Sequence, residues 1–272
     1  MTEFDELKDL AKSTRREIIS MIAKAGSGHP GGSLSIVEIL VYLYSRELRV
    51  NPEDPEWDDR DRVVLSKGHG APALYAVLAL KRFFPLSELS TLRRLDSRLQ
   101  GHPDMLLTPG IDMTTGSLGQ GLSVANGMAI GARLRGKRIR VFAIIGDGEC
   151  QEGQIWEAAM AAGYHKLDNL ICFLDHNRLQ LDGPTEKIMD LEPLADKWRA
   201  FNWNVQEIDG HDFVQIQRAL ERAKKERGAP HLILAHTVKG KGVSFMEHNP
   251  VWHGKAPKPE ELKKALEEFQ NG

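Results

Sequence analysis

The pattern of apolar and polar positions switches repeatedly between a helical period and short unbroken runs. Leu7, Leu10, Ala11, Thr14, Ile18, Ile19 and Ile22 recur at intervals of three and four, predicting a helix over 3–24. It stops at AGSGHPGG, read as a glycine-rich loop that no helix crosses. A second helix is predicted from about Leu34 to Glu47, then an acidic surface loop, NPEDPEWDDRD, and a short strand, RVVLS. SKGHGAP leads into a helix near 71–81, and 83–118 reads as loop with short helical pieces. Helices are predicted at 119–134, 152–166 and 212–225, with PEELKKALEEFQ as a charged terminal helix. Between them stand strand-length runs at VFAIIGDG, LICFLDHN, WNVQEID and HLILAHTV. Strands alternating with helices predict an α/β fold: a doubly wound, mostly parallel sheet with helices on both faces. No repeat, low-complexity stretch or linker divides the chain, so 1–272 reads as one domain.

One of these units carries chemistry. Gly146-Asp147-Gly148 ends one apolar run, and Asn177 ends the next, 30 residues after Asp147. That is the length of one strand–helix–strand unit. It sets a carboxylate and an amide at one edge of neighbouring parallel strands, where open α/β sheets bind ligands. Asp147, Asn177 and the backbone carbonyl of Leu179 would form a hard, incomplete oxygen shell. Such a shell suits Mg²⁺, with Ca²⁺ and Mn²⁺ as alternatives, whose other ligands are phosphate oxygens and water. Gly146 and Gly148 would let backbone approach a diphosphate, and the helix opening near Glu152 would direct N–H groups at it. A lone Gly-Asp-Gly is also an ordinary turn; the register with Asn177 is what favours a clamp.

Composition narrows the alternatives. The chain has 272 residues, 41% hydrophobic and 27% charged, with 36 basic against 38 acidic side chains. A net charge of −2 gives no general attraction to nucleic acid or to an anionic membrane. No apolar run reaches the roughly twenty residues of a membrane span, and MTEFDELKDL lacks signal-peptide features. Cys150 and Cys172 sit after the Gly-Asp-Gly turn and inside a strand, so no structural disulfide is expected and a cytoplasmic location is. Small residues crowd the helix 119–134 (Gly121, Ala125, Gly127, Ala129, Gly131, Ala132) and recur in EAAMAAG, which favours a packed subunit interface there over core packing alone.

Four of the ten histidines share a setting: His29 in SGHPGG, His69 in KGHGAP, His102 in QGHPD and His253 in VWHGK. Each adjoins Gly or Pro in a loop. A single loop histidine is usually solvated, whereas four beside a metal–diphosphate clamp point to hydrogen bonding and proton transfer near neutral pH. His165, His176, His211, His231, His236 and His248 receive no chemistry. No HxxxH or CxxC pair supports zinc.

The Gly-Asp-Gly…Asn pattern resembles the thiamin diphosphate signature, with His176-Asn177 where two asparagines are usual. Together, SGHPGG, SKGHGAPALY, GHPD, TTGSLGQG, HNRLQLDG and the late His-Gly resemble transketolase, from about Lys12 to Gly254, and specifically its N-terminal, diphosphate-binding half. The resemblance implies that Asp147, Asn177 and Leu179 hold the metal. It implies that Gly148, His69 and His253 meet the diphosphate, with Gly146 and Glu149 beside them. Gly116, Ser117 and Leu118 would approach the cofactor, and Leu118 and Leu181 pack on its rings. His29, His69, His102 and His253 would surround the reacting sugar carbons, and Glu152 would pair with its counterpart across an interface to couple two active sites.

Full-length transketolases are about twice as long or more. Their second domain supplies the glutamate that acts on the aminopyrimidine, the aromatic pocket for that ring and the sugar-phosphate contacts. The resemblance therefore implies a split enzyme: a C-terminal subunit on a separate polypeptide, a heterotetramer with two copies of each, and sugar phosphate substrates. The implied reaction moves a two-carbon ketol unit from a ketose phosphate to an aldose phosphate. A truncated piece, a 1-deoxyxylulose-5-phosphate synthase-like subunit (TVKGKG is reminiscent of that enzyme) and a non-catalytic regulatory subunit remain alternatives. A dinucleotide-binding protein is disfavoured, since no GxGxxG follows a strand.

Overall fold

The computed structural model describes residues 4–271. Helix α1 (Asp5–Ala25) buries Leu7, Ala11, Ile18, Ile19 and Ile22, the stripe read from the periodicity, and ends at Gly26 in the left-handed region (φ 67°). The next helix begins inside the glycine stretch expected to be loop: α2 spans Pro30–Leu34 and α3 Val37–Tyr42, followed by a π-helical turn at Leu43–Glu47. Proline at the first helical position pre-sets the backbone, which offsets the cost of Gly31 and Gly32. The helix expected over 34–47 is thus α3 continued by the wide turn, starting three residues later than expected.

Strand β1 (Arg62–Leu65) leads to α4 (Ala71–Leu80), and α5 (Gln120–Leu134) leads to β2 (Val141–Gly146). Helix α6 (Gly153–Tyr164) then crosses to β3 (Leu170–His176). Two short helices, α7 (Thr185–Ile188) and α8 (Leu194–Ala200), follow, which the sequence pattern did not reveal. Strand β4 (Asn204–Asp209), α9 (Phe213–Lys225), β5 (His231–His236) and α10 (Pro259–Asn271) complete the chain. The strands lie in the order β1-β2-β3-β5-β4, and every pairing among them is parallel.

Alternate residues of each strand enter two separate cores. Phe142, Ile144 and Phe173 pack with Ile18, Ile22, Leu40, Tyr75 and Ile216 on one face. Ala143, Ile145 and Leu174 pack with Leu122, Ile155 and Trp198 on the other. Period-two strands covered on both sides give the expected three-layer sandwich. Cys150 and Cys172 are free and buried. Among the described residues no helix is long and apolar enough to cross a membrane.

The small residues of α5 serve packing within the chain first. Ala125, Ala129 and Ala132 are buried against the sheet, and a Cβ on Gly121 would lie 2.5 Å from Ser66 Cβ. Gly127 and Gly131 instead face open space. Gly121→Ala should therefore push β1 and α5 apart and lower stability by about 1–3 kcal/mol. Gly127→Ala should not, and urea unfolding of the two variants checks the contrast.

Candidate active site

The register of β2 and β3 sets the centre. Gly146 pairs with Asp175, so Asp147 and Asn177 emerge together at the C-terminal edge of the sheet. Asp147 is 2% exposed. Its carboxylate accepts from the Gly148 N–H at 2.7 Å and from the Arg178 N–H. Asn177 donates its amide to Asp175 Oδ2 at 2.9 Å and accepts from the Leu179 N–H at 3.1 Å, which fixes the amide oxygen. Burial, aided by the charge of Asp175, pushes the Asp147 carboxyl up to about 7. A buried carboxylate beside a second one is a natural seat for a divalent cation, whose charge would bring that pKa down again.

Two lysines complete the electrostatics, and the sequence did not single out either. Lys67, in the KGHGAP motif, is buried; it donates to the Gly32 carbonyl at 2.8 Å and pairs with Asp175. Burial would raise the pKa of Asp175, but the Lys67 charge, with hydrogen bonds from Lys67, Thr237 and Ser35, holds it below the usual range. Lys239, in TVKGKG, donates to the Leu179 carbonyl at 2.9 Å and meets His253 Nδ1 at 2.8 Å, with no carboxylate in ion-pair contact among the described residues. Burial and the nearby Lys67 push the Lys239 ammonium down to about 8. A buried cation without a counter-ion calls for an anion, and a diphosphate supplies one.

These groups line one cavity of about 280 Å³, together with Gly32, His69, Leu118, Gly146, Gly148, Glu152, Leu181 and His253. A Cβ on Gly32 would lie 3.1 Å from His69 Nε2 and 3.4 Å from Lys67 Nζ. Bare backbone there keeps room at the polar end of the cavity. A larger cleft, about 700 Å³, shares Asn177 and Leu179 and extends over the ends of β3 and β5.

The four loop histidines converge. Ring centroids of His29 lie 5.5 Å from His69, 5.5 Å from His253 and 6.2 Å from His102, while His69 and His253 are 5.1 Å apart. Burial pushes His29 down to about 4 and His253 to about 3, with neighbouring positive charge adding to both, and lowers His69 and His102 as well. All four are neutral at pH 7, able to donate at one nitrogen and accept at the other. Since the Lys239 ammonium donates to His253 Nδ1, that ring carries its proton on Nε2. The buried Nδ1 of His29 has no partner.

Excluding protons has a consequence for stability. Below pH 6.5 the unfolded chain takes up a proton at His29 that the folded chain refuses until about pH 4. The contribution of His29 to stability should therefore fall as pH drops through that window and level off below it. His29→Asn should make the fall shallower, as measured by urea midpoints at pH 7 and pH 4.5.

The remaining candidates divide. Glu149 is buried, and both its oxygens are taken: Oε1 by Ser66 at 2.5 Å and the Gly119 N–H at 2.9 Å, Oε2 by the Gly146 N–H at 3.0 Å. It ties the TTGSLGQG loop to β2 and also lines the cavity. A Cβ on Gly116 would lie 3.2 Å from the His102 ring. Ser117 is exposed outside the cavity, and Leu181 is 60% exposed at its mouth. Glu152 is exposed at the start of α6, as are Met160 further along that helix and Gly127 on α5. Among the described residues no group of three or more His, Cys, Asp or Glu side chains could hold a metal; the Asp147, Asn177 and Leu179 set contains only one such side chain.

Comparison with known proteins shows the family. Residues 7–270 match the family model described as "Transketolase, thiamine diphosphate binding domain". The chain is 52% identical to a 6-deoxy-6-sulfo-D-fructose transketolase subunit of Clostridium sp. (strain MSTE9), covering 97% of this chain and 96% of that one. It is 44% identical to an apulose-4-phosphate transketolase subunit of Actinobacillus succinogenes, covering 98% and 97%. Its structure superposes on transketolase from Campylobacter jejuni with a TM-score of 0.93 at 36% identity, covering 99% of this chain but only 43% of that one. The chain belongs to the transketolase family, of which it carries the thiamine diphosphate-binding domain.

Proposed function

We propose that this chain is the diphosphate-binding subunit of a split transketolase, completed by a second polypeptide that brings the pyrimidine-binding half. Thiamin diphosphate, when bound, supplies an electron sink beside the carbonyl of a ketose. Asp147, Asn177 and the Leu179 carbonyl would hold a Mg²⁺ ion bridging to the diphosphate, and Lys239, His69 and the Gly148 backbone would hold the diphosphate itself. The observation that carries this reading is convergence: a buried ammonium with no ion-pair partner among the described residues, a raised buried carboxyl and two of the four neutral imidazoles line one cavity.

In the reaction, the histidines act on the sugar. His29, His102 and His253 hold the hydroxyls next to the reacting carbonyl and exchange protons with them as the carbon–carbon bond breaks and reforms. Neutrality at working pH lets each ring serve in both directions. Names of the relatives point to ketoses bearing a terminal anion, phosphate or sulfonate. Pairing of Glu152 with its counterpart, in a heterotetramer of two copies of each chain, would place two such sites across one interface. A cytoplasmic setting fits the two reduced, buried cysteines.

Product analysis on the assembled complex tests the reading. Xylulose 5-phosphate, apulose 4-phosphate or 6-deoxy-6-sulfo-D-fructose with an aldose acceptor should yield the two-carbon-extended ketose. Product formation from pyruvate plus glyceraldehyde 3-phosphate, with none from these ketoses, would favour the 1-deoxyxylulose-5-phosphate synthase-like alternative.

A further inference from the structure

A chain of hydrogen bonds links α1 and α3 to the backbone on either side of the lysine in the cofactor cavity. Arg15 on α1 donates to Glu38 Oε1 on α3 at 2.6 Å, and its Nε donates to the Lys241 carbonyl at 3.0 Å. The other Glu38 oxygen, Oε2, meets His211 Nδ1 at 2.8 Å. His211 sits in the turn between β4 and α9, and its Nε2 accepts from the Val238 N–H at 2.9 Å. Side chains of Arg15 and Glu38 are each 9% exposed, and that of His211 is 11% exposed. Burial alone would raise the Glu38 carboxyl; the His211 hydrogen bond and the Arg15 charge override it and hold it below the ordinary range.

The direction of these bonds fixes the tautomer. Val238 can donate only to an unprotonated nitrogen, so His211 carries its proton on Nδ1 and gives it to Glu38. Both ends of the chain grip backbone on either side of one residue. Val238 precedes Lys239 and Lys241 follows it by two, while the Gly240 N–H is anchored separately to the Gly31 carbonyl at 3.0 Å. Lys239 itself reaches into the cavity.

We infer that Arg15, Glu38 and His211 are positioning residues for Lys239: they lock the 237–242 segment so that its ammonium meets the cofactor's diphosphate. This inference rests on the cofactor reading above. None of the three touches the cavity; they act through the backbone that carries the lysine. A merely structural role would spread its effect over the fold, whereas positioning depends on which His211 nitrogen is kept.

That difference sets the experiment. In His211→Asn the amide group takes the place of Nδ1 and can still donate to Glu38, but nothing accepts from Val238. In His211→Gln the side-chain oxygen reaches the place of Nε2 and accepts from Val238; the bond to Glu38 is lost, but Arg15 still holds that carboxylate, so the contact that grips the 237–242 backbone is kept. Calorimetric titration of the chain assembled with its partner subunit, using thiamin diphosphate and Mg²⁺, should give about fivefold weaker binding for His211→Asn, the loss of one net hydrogen bond. For His211→Gln it should be within about twofold of wild type, the small end of the same range. Hydrogen exchange gives a second readout that needs no cofactor: the peptide spanning 237–242 should exchange faster in His211→Asn only, with the β2 and β3 peptides unchanged. Equal cofactor affinity and equal exchange for wild type and His211→Asn would overturn the inference. So would a His211→Gln variant as impaired as the asparagine variant, and that arm alone decides if His211→Asn fails to fold. Should the assembled wild-type complex take up no thiamin diphosphate, the cofactor reading fails and the inference falls with it.

Discussion

Replacing Asp147 by alanine should abolish Mg²⁺-dependent binding of thiamin diphosphate, weakening it by about a hundredfold or more. A lost outer partner of a metal ligand already costs 10–100-fold, and Asp147 is the only carboxylate in the proposed shell. Its pKa of about 7 describes a carboxylate buried without a cation. Binding of Mg²⁺ would convert that strain into affinity. Alanine also removes the acceptor for the Gly148 and Arg178 N–H groups, so the turn that carries the glycine should loosen. Asp147→Asn separates the two effects, because it keeps an acceptor and loses the charge. Calorimetry with Mg²⁺ present and with a chelator reads both variants. Tight Mg²⁺-dependent binding by Asp147→Ala would remove the clamp from this position.

Lys67→Met should be the most damaging single change for stability. It leaves the Asp175 carboxylate fully buried and facing only hydroxyl and amide donors from Ser35, Thr237 and Asn177. Breaking a buried pair from one side costs about 3–5 kcal/mol. Because Asp175 also holds the Asn177 amide, the damage should reach the metal shell, and cofactor binding should weaken along with the unfolding midpoint. Urea denaturation measures the first and calorimetry the second. A loss below about 1 kcal/mol, the scale of an exposed pair, would mean that the charge on Asp175 finds compensation elsewhere.

How much of this could be read from residues alone depends on what carried each signal. Strand and helix periods gave β2, α6 and β3, and a fixed rise per residue then forces Asp147 and Asn177 to one sheet edge. Convergence of His29, His69, His102 and His253 was legible only as shared motif context, since no local spacing joins positions so far apart in the chain. Lys67 and Lys239 escaped notice because a loop lysine is ordinarily solvated, and only the fold buries these two. The motifs KGHGAP and TVKGKG were the available signal. Helix α2 was hidden by its glycines, whose helix-breaking tendency is overridden here by close approach to His69 and to Trp252. Glu149 lines the cavity, but its anchoring by backbone donors and Ser66 could not be read from its place beside Gly-Asp-Gly. His211 carried no motif signal at all; its role comes from a turn that the sheet order brings beside α3 and the end of β5.

The most direct test of a half-site that works only with its complement is a turnover measurement on three samples. These are this chain, a chain carrying the pyrimidine-binding half, and their mixture, each with Mg²⁺ and thiamin diphosphate. Two-carbon transfer confined to the mixture, and lost when the mixture contains Asp147→Ala, is the predicted result. Equal turnover by this chain alone, or a mixture as active with Asp147→Ala as with wild type, would contradict it.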